Sequence, residues 1–185
     1  MIAVNKTVLA PLSLEPPIRR EFNTAYHRML PYGGSFYDTT DQLTVGANQV
    51  NIMSYNTTVL SDGVKIVSGN QITFGYPGWF VVSFSAQFDK ASSNSQEVDI
   101  WLRQNGVDVP WSNTIVNLAG SNAEIVAAWE WMVRADVGSY VQIAWSSPAT
   151  DAEVLARPAA TGPVRPAVPS VILNVWPVFG FSVTS

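Results

Sequence analysis

The residues in this chain that could do chemistry are few. The sequence has one histidine, His27, and no cysteine. A Ser-His-Asp triad would have to be built on His27, and the sequence lacks the Gly-x-Ser-x-Gly elbow that exposes a nucleophilic serine. We therefore interpret His27 as a structural residue and predict that the protein is not an enzyme.

Three pairs of carboxylates lie close together in the sequence. Glu97 and Asp99 share one face of a predicted strand, with Arg103 further along it, and could form half of a glycosidase site or of a Ca²⁺ site. We favour an ion-paired polar face, with an Asp99–Arg103 contact, because neighbouring oxygen ligands are not evident. We expect no metal and no cofactor. The pairs are Asp38/Asp41, Glu97/Asp99 and Asp151/Glu153.

Seven tryptophans could stack on sugars or fill a core and a subunit interface. Trp101 and Trp111 flank a predicted hairpin and are the best candidates for an exposed sugar site. Trp129 and Trp131 alternate along one strand face, which favours the core and the interface.

Two consecutive segments set the fold class. Trp79–Phe88 and Glu97–Gln104 alternate apolar and polar residues, which is typical of strands with one face in a core. Asn105-Gly106 supplies the positive-φ pair of a type I′ hairpin turn. The chain is therefore predicted to be all-β, and specifically a β-sandwich.

Turn signals divide the rest of the chain into further short strands, as in a sandwich or barrel. Thr161–Pro169 is expected to be an irregular extended connection because it contains three prolines. The other predicted strands are Ser35–Thr40, Val50–Val59, Val64–Val67, Gln71–Phe74, Val107–Pro110, Thr114–Leu118, Glu124–Arg134, Tyr140–Trp145, Glu153–Ala156 and Ser170–Val178.

The composition favours a protein that assembles. Only 13% of the 185 residues are charged, against about a quarter in a typical globular domain. A surface so poor in charge indicates either burial against other chains or a surface rich in serine, threonine, asparagine and glutamine, which this sequence also has. We favour stable oligomerisation, given seven Trp, six Tyr and eight Phe. The net charge of −4 argues against nucleic-acid binding, and no apolar run is long enough for a membrane span or a signal peptide.

The first 32 residues differ from the body. Residues 1–34 hold four basic and two acidic residues, whereas the remainder holds six basic and twelve acidic. Four prolines interrupt this segment, so it cannot form a core of its own. The segment is either a tail that folds onto the body or an arm that reaches for a partner, and its apolar content favours the arm. We predict an arm, residues 1–32, preceding one domain, residues 33–185, and allow a short helix over Arg19–Leu30.

The order of several motifs resembles the trimeric jelly-roll superfamily of complement-type heads and tumour-necrosis-factor-like domains. These motifs are the strand opening Gly78-Trp79-Phe80, the segment VDIWLRQNG, the turn Val137-Gly138-Ser139-Tyr140-Val141 and the strand PSVILNV. More closely, GGSFYDTTDQ, LSDGVKIVSGNQITF and FSAQFDK resemble jelly-roll domains of bacteriophage virion proteins. The resemblance covers roughly residues 33–178.

The resemblance implies a trimeric jelly-roll β-sandwich on the virion, made in the host cytoplasm. The expected function is that of a capsid decoration (cement) protein, whose arm binds the major capsid protein and which stabilises the shell. The capsid-binding residues are expected to be Leu12, Leu14, Ile18, Arg19, Arg20 and Arg28. The trimer interface is expected at Trp101, Arg103, Trp129 and Trp131.

An alternative is the receptor- or glycan-binding tip of a head or tail fibre. Such a tip would use the loops around Trp101–Trp111 or Pro158–Pro169. The absence of heptads and of repeats favours decoration, because fibres usually carry a long shaft before the head.

Overall fold

The computed structural model describes residues 16–18 and 32–178. Two antiparallel sheets pack face to face in a jelly roll, as the sequence predicted. The strands of the two sheets and of a small separate hairpin are β1 (Gly33–Asp38), β2 (Gln42–Leu43), β3 (Asn51–Ile52), β4 (Thr57–Asp62), β5 (Val64–Val67), β6 (Gln71–Phe74), β7 (Gly78–Lys90), β8 (Gln96–Gln104), β9 (Val107–Asp108), β10 (Thr114–Leu118), β11 (Glu124–Ala135), β12 (Tyr140–Ser146), β13 (Ala152–Val154), β14 (Ala160–Thr161), β15 (Val164–Arg165) and β16 (Val171–Val178).

The first sheet is organised around β7. Strand β11 pairs with one edge of β7 over its full length, and β16 and then β13 pair with the other edge. Beyond β16 come β1 and β4, while β2 pairs with β13. The second sheet has the order β10-β8-β12-β6-β5, with β9 beside β8 and β3 beside β12. Strands that follow each other in sequence thus repeatedly change sheet.

The core lies between the two sheets and is built by alternation. Along β7 every second side chain from Phe80 to Phe88 is buried, and Val98, Ile100 and Leu102 of β8 face them from the second sheet. Both predicted core faces are therefore confirmed. The rest of this core includes Phe36, Met53, Ile72, Phe74, Ile143, Trp145, Val171, Leu173 and Val175.

The predicted single strand Val50–Val59 was wrong, because the chain crosses between the sheets in its middle. Strand β3 pairs with β12 in the second sheet, whereas β4 pairs with β1 in the first. Met53 and Tyr55 are buried in the crossing. The apolar residues whose pattern resembled one long strand are buried in the core, in the segment between the two short strands β3 and β4.

The segment Thr161–Pro169 is also more regular than predicted. Strands β14 and β15, each two residues long, form a hairpin. An isolated bridge between Arg157 and Val168 closes its base. Its prolines fall outside the paired positions, where their missing N–H groups cost no ladder hydrogen bond. Strand β2, which no prediction included, is likewise only two residues long.

The sandwich has two different ends. At the first, called the arm end, β1 begins at Gly33 and β16 ends beside Trp79. Tyr32 stacks there on Tyr76, with ring centroids 3.9 Å apart. At the opposite end, called the loop end, residues 91–95, 119–123 and 147–151 connect the sheets. The N-terminal segment and the end of the last strand therefore meet the sandwich at the same end.

A fully buried lysine organises the loop end. Lys90 has 0% exposure, and its Nζ donates to the carbonyl oxygens of Ser92 at 3.1 Å, Gly120 at 2.6 Å and Asn94. These carbonyls belong to two loops that are distant in sequence. An ammonium group removed from water needs such partners, and here they join the loops 91–95 and 119–123.

Aromatic rings close the sandwich edge between β10 and β11. Trp131 stacks on Phe84 with centroids 5.2 Å apart and planes 9° from parallel, and Trp129 meets both rings edge-on. The Trp131 Nε1 donates to the carbonyl oxygen of Ser112 at 3.1 Å. The edge is therefore fixed by packing and by a bond between the two sheets.

Removal of the Trp131 ring should destabilise the subunit itself. We expect Trp131→Ala to lower the free energy of unfolding by about 3 kcal/mol, because a half-buried indole and its stacking are lost. Trp131→Phe keeps a ring on Phe84 and should cost about 1 kcal/mol, mostly the bond to Ser112. Urea unfolding measures both variants. Equal stability of Trp131→Ala and the unmodified chain would contradict the packing described here.

Candidate interaction surface

The outer face of the first sheet presents apolar side chains in cross-strand rows. Trp176, Val81 and Met132 lie side by side on β16, β7 and β11. A second row runs through Ile172, Ser85 and Ala128, and a polar row of Asn174, Ser83 and Glu130 separates the two. Met132 is 54% exposed and Trp176 is 42% exposed. Nothing within the described chain covers this face.

The outer face of the second sheet differs in character. Within the described residues it exposes one large hydrophobic side chain, Ile115, whereas the first sheet's outer face exposes six: Leu43, Leu60, Val126, Met132, Ile172 and Trp176. Polar side chains dominate on the second sheet, namely Lys65, Gln71, Thr73, Glu97, Asp99, Arg103, Asn117 and Gln142. A concentration of exposed apolar side chains marks a contact surface, and among the described residues it lies on the first sheet.

The four residues expected at a trimer interface do not share a surface. Trp129 and Trp131 point between the sheets and pack against the core. Trp101 and Arg103 lie on the outer face of the second sheet. Their role as interface residues remains a prediction. The apolar outer face of the first sheet was missed, although its signal was present in β11, where neither face is purely polar.

The polar side chains around Trp101 pair with each other. Asp108 accepts hydrogen bonds from Trp101 Nε1 at 2.8 Å and forms a salt bridge with Arg103 Nε at 2.9 Å. Asp99 accepts from Asn113 Nδ2 at 2.7 Å. The anticipated Asp99–Arg103 contact is therefore replaced by Arg103–Asp108. The hairpin turn brings Asp108 opposite Arg103, as their register shows.

Most of the expected capsid-binding arm lies outside the described residues. This applies to Leu12, Leu14, Arg19, Arg20 and Arg28, and also to His27 and to the helix expected over 19–30. Ile18 is described: it is helical together with residues 16 and 17 and is 53% exposed.

Asp38, from the first carboxylate pair, forms a buried hydrogen-bonding centre. Its carboxylate accepts two hydrogen bonds from Thr40, from the backbone N–H at 2.8 Å and from the hydroxyl at 2.6 Å. It also accepts hydrogen bonds from Ser54 Oγ and Asn56 Nδ2, both at 2.9 Å. Burial, and then the charge of Asp38, raises the pKa of Tyr55. This arrangement anchors the turn after β1.

A shallow pocket of about 240 Å³ adjoins the apolar face at its loop end. Arg157 occupies one wall and pairs with Asp89 at 3.3 Å and with Glu124. Glu153 lies beside Asp89 in register. Desolvation, followed by the charges of Asp89 and Asp41, raises the pKa of Glu153.

No group of three or more histidine, cysteine, aspartate or glutamate residues could hold a metal ion within residues 16–18 and 32–178. No helix in that part of the chain is long and apolar enough to cross a membrane.

Sheet order and strand alternation define a tumour-necrosis-factor-like jelly roll. Two solved structures of murine APRIL, determined at pH 8.5 and pH 8.0, are similar to this chain with TM-scores of 0.51. Their sequence identities are 10% and 9%, and each match covers 80% of this chain and 100% of the APRIL chain. Such identities show the fold alone. No protein-family model and no curated protein sequence matches the chain.

Two carboxylates at the loop end should affect stability in opposite directions. The pKa of Glu153 is raised in the folded state. At pH values between the usual glutamate pKa and this raised pKa, the folded state therefore binds more protons than the unfolded state. Ionised Glu153 therefore opposes folding, and Glu153→Gln should raise Tm at pH 7. That gain should vanish as the pH falls below the usual glutamate range.

Asp151 is the matched control for this prediction. The side chain of Ser92, and then that of Gln96, which donates to the carboxylate, favour the charged form and lower the pKa of Asp151, outweighing partial desolvation. Ionised Asp151 therefore stabilises the fold, and Asp151→Asn should lower Tm at pH 7. This loss should fade as the pH falls through the lowered pKa. Thermal unfolding between pH 3 and pH 7 measures the Tm change of both variants. If both substitutions change Tm in the same direction at pH 7, the opposite pKa shifts of Glu153 and Asp151 would be contradicted.

Proposed function

We propose that this protein is a homotrimeric structural protein of a bacteriophage virion, acting as a capsid decoration protein. The observation that carries the assembly is the apolar outer face of the first sheet, which nothing in the described chain covers. The low fraction of charged residues, 13%, supports burial of such a face against other copies.

The phage role rests on the sequence resemblance. The motifs between Gly33 and Val178 resemble virion jelly rolls, and that resemblance implies three copies about one axis. A three-fold arrangement presents any arm three times, which raises the avidity for a symmetric target such as a capsid. The major capsid protein is the proposed partner, and the proposed location is the outer surface of the virion.

The two ends of the sandwich support anchoring through the arm. The N-terminal segment joins at Gly33 on the arm end, so a capsid bound there leaves the loop end directed outward. Residues 1–34 carry two net positive charges, whereas the remainder carries six net negative charges. Attachment across boundaries between capsid subunits is the proposed means of stabilising the shell. This role requires neither catalysis nor a cofactor.

A charge placed on the apolar face should prevent assembly without unfolding the subunit. We expect Met132→Lys to reduce the assembled mass from three times the subunit mass to the subunit mass of 20.1 kDa, because a buried unpaired charge is costly. The control is Val137→Lys, which places a lysine at an exposed turn residue away from this face. Sedimentation velocity measures the masses, and circular dichroism checks folding. A Met132→Lys trimer would contradict the proposed interface.

Capsid association should depend on the arm. We expect the full chain to rebind capsids stripped of decoration, and a variant lacking residues 1–30 to remain a trimer but lose binding by at least tenfold. Co-sedimentation with capsids measures this. An arm-deleted trimer that binds normally would contradict capsid anchoring through the arm.

The receptor- or glycan-binding fibre tip remains the second candidate. It is favoured by the exposed hairpin β14–β15, where Val164 is 88% exposed. This role predicts that the arm is dispensable for target binding and that substitutions in residues 158–169 abolish it. The full chain would then show no arm-dependent association with capsids.

A further inference from the structure

The most exposed large hydrophobic side chain in the described chain is Trp111, in the loop between β9 and β10. Its exposure is 102%, and its backbone has φ +63°. A bulky residue rarely adopts this left-handed conformation, because its Cβ is crowded against the backbone. The isolated subunit thus carries both an unburied indole and a strained backbone at one residue. Such strain is characteristic of functional sites.

The loop that carries Trp111 is held rigidly on both sides. Ser112 Oγ donates to the carbonyl oxygen of Val109 at 2.8 Å and accepts from the Leu102 N–H at 3.0 Å. The Ser112 carbonyl oxygen accepts a hydrogen bond from Nε1 of Trp131, which lies on the first sheet. Trp111 is therefore displayed at the edge of the sandwich by a preorganised turn, which reduces the entropy lost on binding.

The surroundings of Trp111 fit an apolar partner better than a sugar. A sugar needs free carboxylates or amides beside the aromatic ring. The neighbouring carboxylate of Asp108 already binds Trp101 and Arg103, and Asp99 already accepts from Asn113. An exposed indole near polar side chains that already pair with one another is instead typical of an anchor residue in a protein interface.

We infer that Trp111 inserts into the outer face of the first sheet of a second copy of this chain. The inference rests on the proposed homotrimer and adds which edge of one subunit meets the face of the next. Both halves of the contact are on every chain: a protruding edge residue, and an uncovered apolar face. Two different surfaces in contact form a heterologous interface, which closes into a ring when the rotation between copies permits.

Two small side chains on this face leave room for an indole. Ser85 on β7 and Ala128 on β11 are direct cross-strand neighbours with small side chains. Ile172 lies next to Ser85 on β16, and Val126, 54% exposed, projects from the same face of β11 two residues before Ala128. An indole placed over the small pair would bury its ring against these two larger side chains.

Substitution of Trp111 separates assembly from folding. We expect Trp111→Ala to raise the concentration at which half of the trimer dissociates by at least about 30-fold, as for an interface anchor. Trp111→Gly should weaken assembly as strongly, yet leave the subunit as stable or more stable, because glycine tolerates positive φ. Val137→Ala, at another exposed apolar residue, is the control and should leave the midpoint unchanged.

The absence of cysteine from the sequence allows the contact to be mapped directly. Trp111→Cys combined with Ser85→Cys or with Ala128→Cys should form disulfides between chains on oxidation, giving a covalent three-chain species on non-reducing gels. The single variants should not cross-link. Cross-linking by Trp111→Cys alone would overturn the inference, because it would place two edges against each other.

The outcomes distinguish the inference from the proposed function. A monomeric unmodified chain would remove the homotrimer and the inference with it. A trimer whose dissociation is unchanged by Trp111→Ala would overturn only the inference. A trimer weakened by Trp111→Ala and Trp111→Gly, with intact subunits, supports it.

Discussion

The pleat of β7 is the constraint on which the rest of the structure depends. This strand is hydrogen-bonded on both edges along its length, to β11 on one side and to β16 and β13 on the other. Because side chains alternate strictly, a shift of one residue would move Phe80 to Phe88 out of the core and expose the entire set. The same alternation directs Val81 and its neighbours outward. Core and contact surface are therefore fixed together by one register.

The sequence was sufficient for the elements whose pattern is local. The alternation in β7 and β8, and the turn at Asn105-Gly106, could be read directly, and the sandwich follows from them. The division of Val50–Val59 could not be read, because buried residues in a crossing segment look like those in a strand. Lys90 could not be identified as buried, since its partner carbonyls include Gly120, thirty residues away. Interactions between distant loops leave no local pattern.

The candidate surface shows the same limit. The expected interface tryptophans were chosen because large aromatic residues favour interfaces, yet Trp129 and Trp131 fill the edge between the sheets. What distinguishes the first sheet is a set of side chains on separate strands, such as Val126 and Ile172. These residues become neighbours only once strand order and register are known. The left-handed backbone of Trp111 is likewise a property of the folded turn, because the sequence Pro-Trp-Ser carries no glycine or asparagine to signal it.

The position of β1 determines how the sandwich responds to force. A tension transmitted through the N-terminal segment enters the domain at Gly33 and pulls along the axis of β1. That strand is bonded to β16 on one edge and to β4 on the other, and the bonds run across the direction of pull. Its ladders are therefore loaded in shear and must break together, rather than opening one bond at a time from an end. The geometry gives the connection between segment and domain a mechanical resistance that its short length alone does not provide.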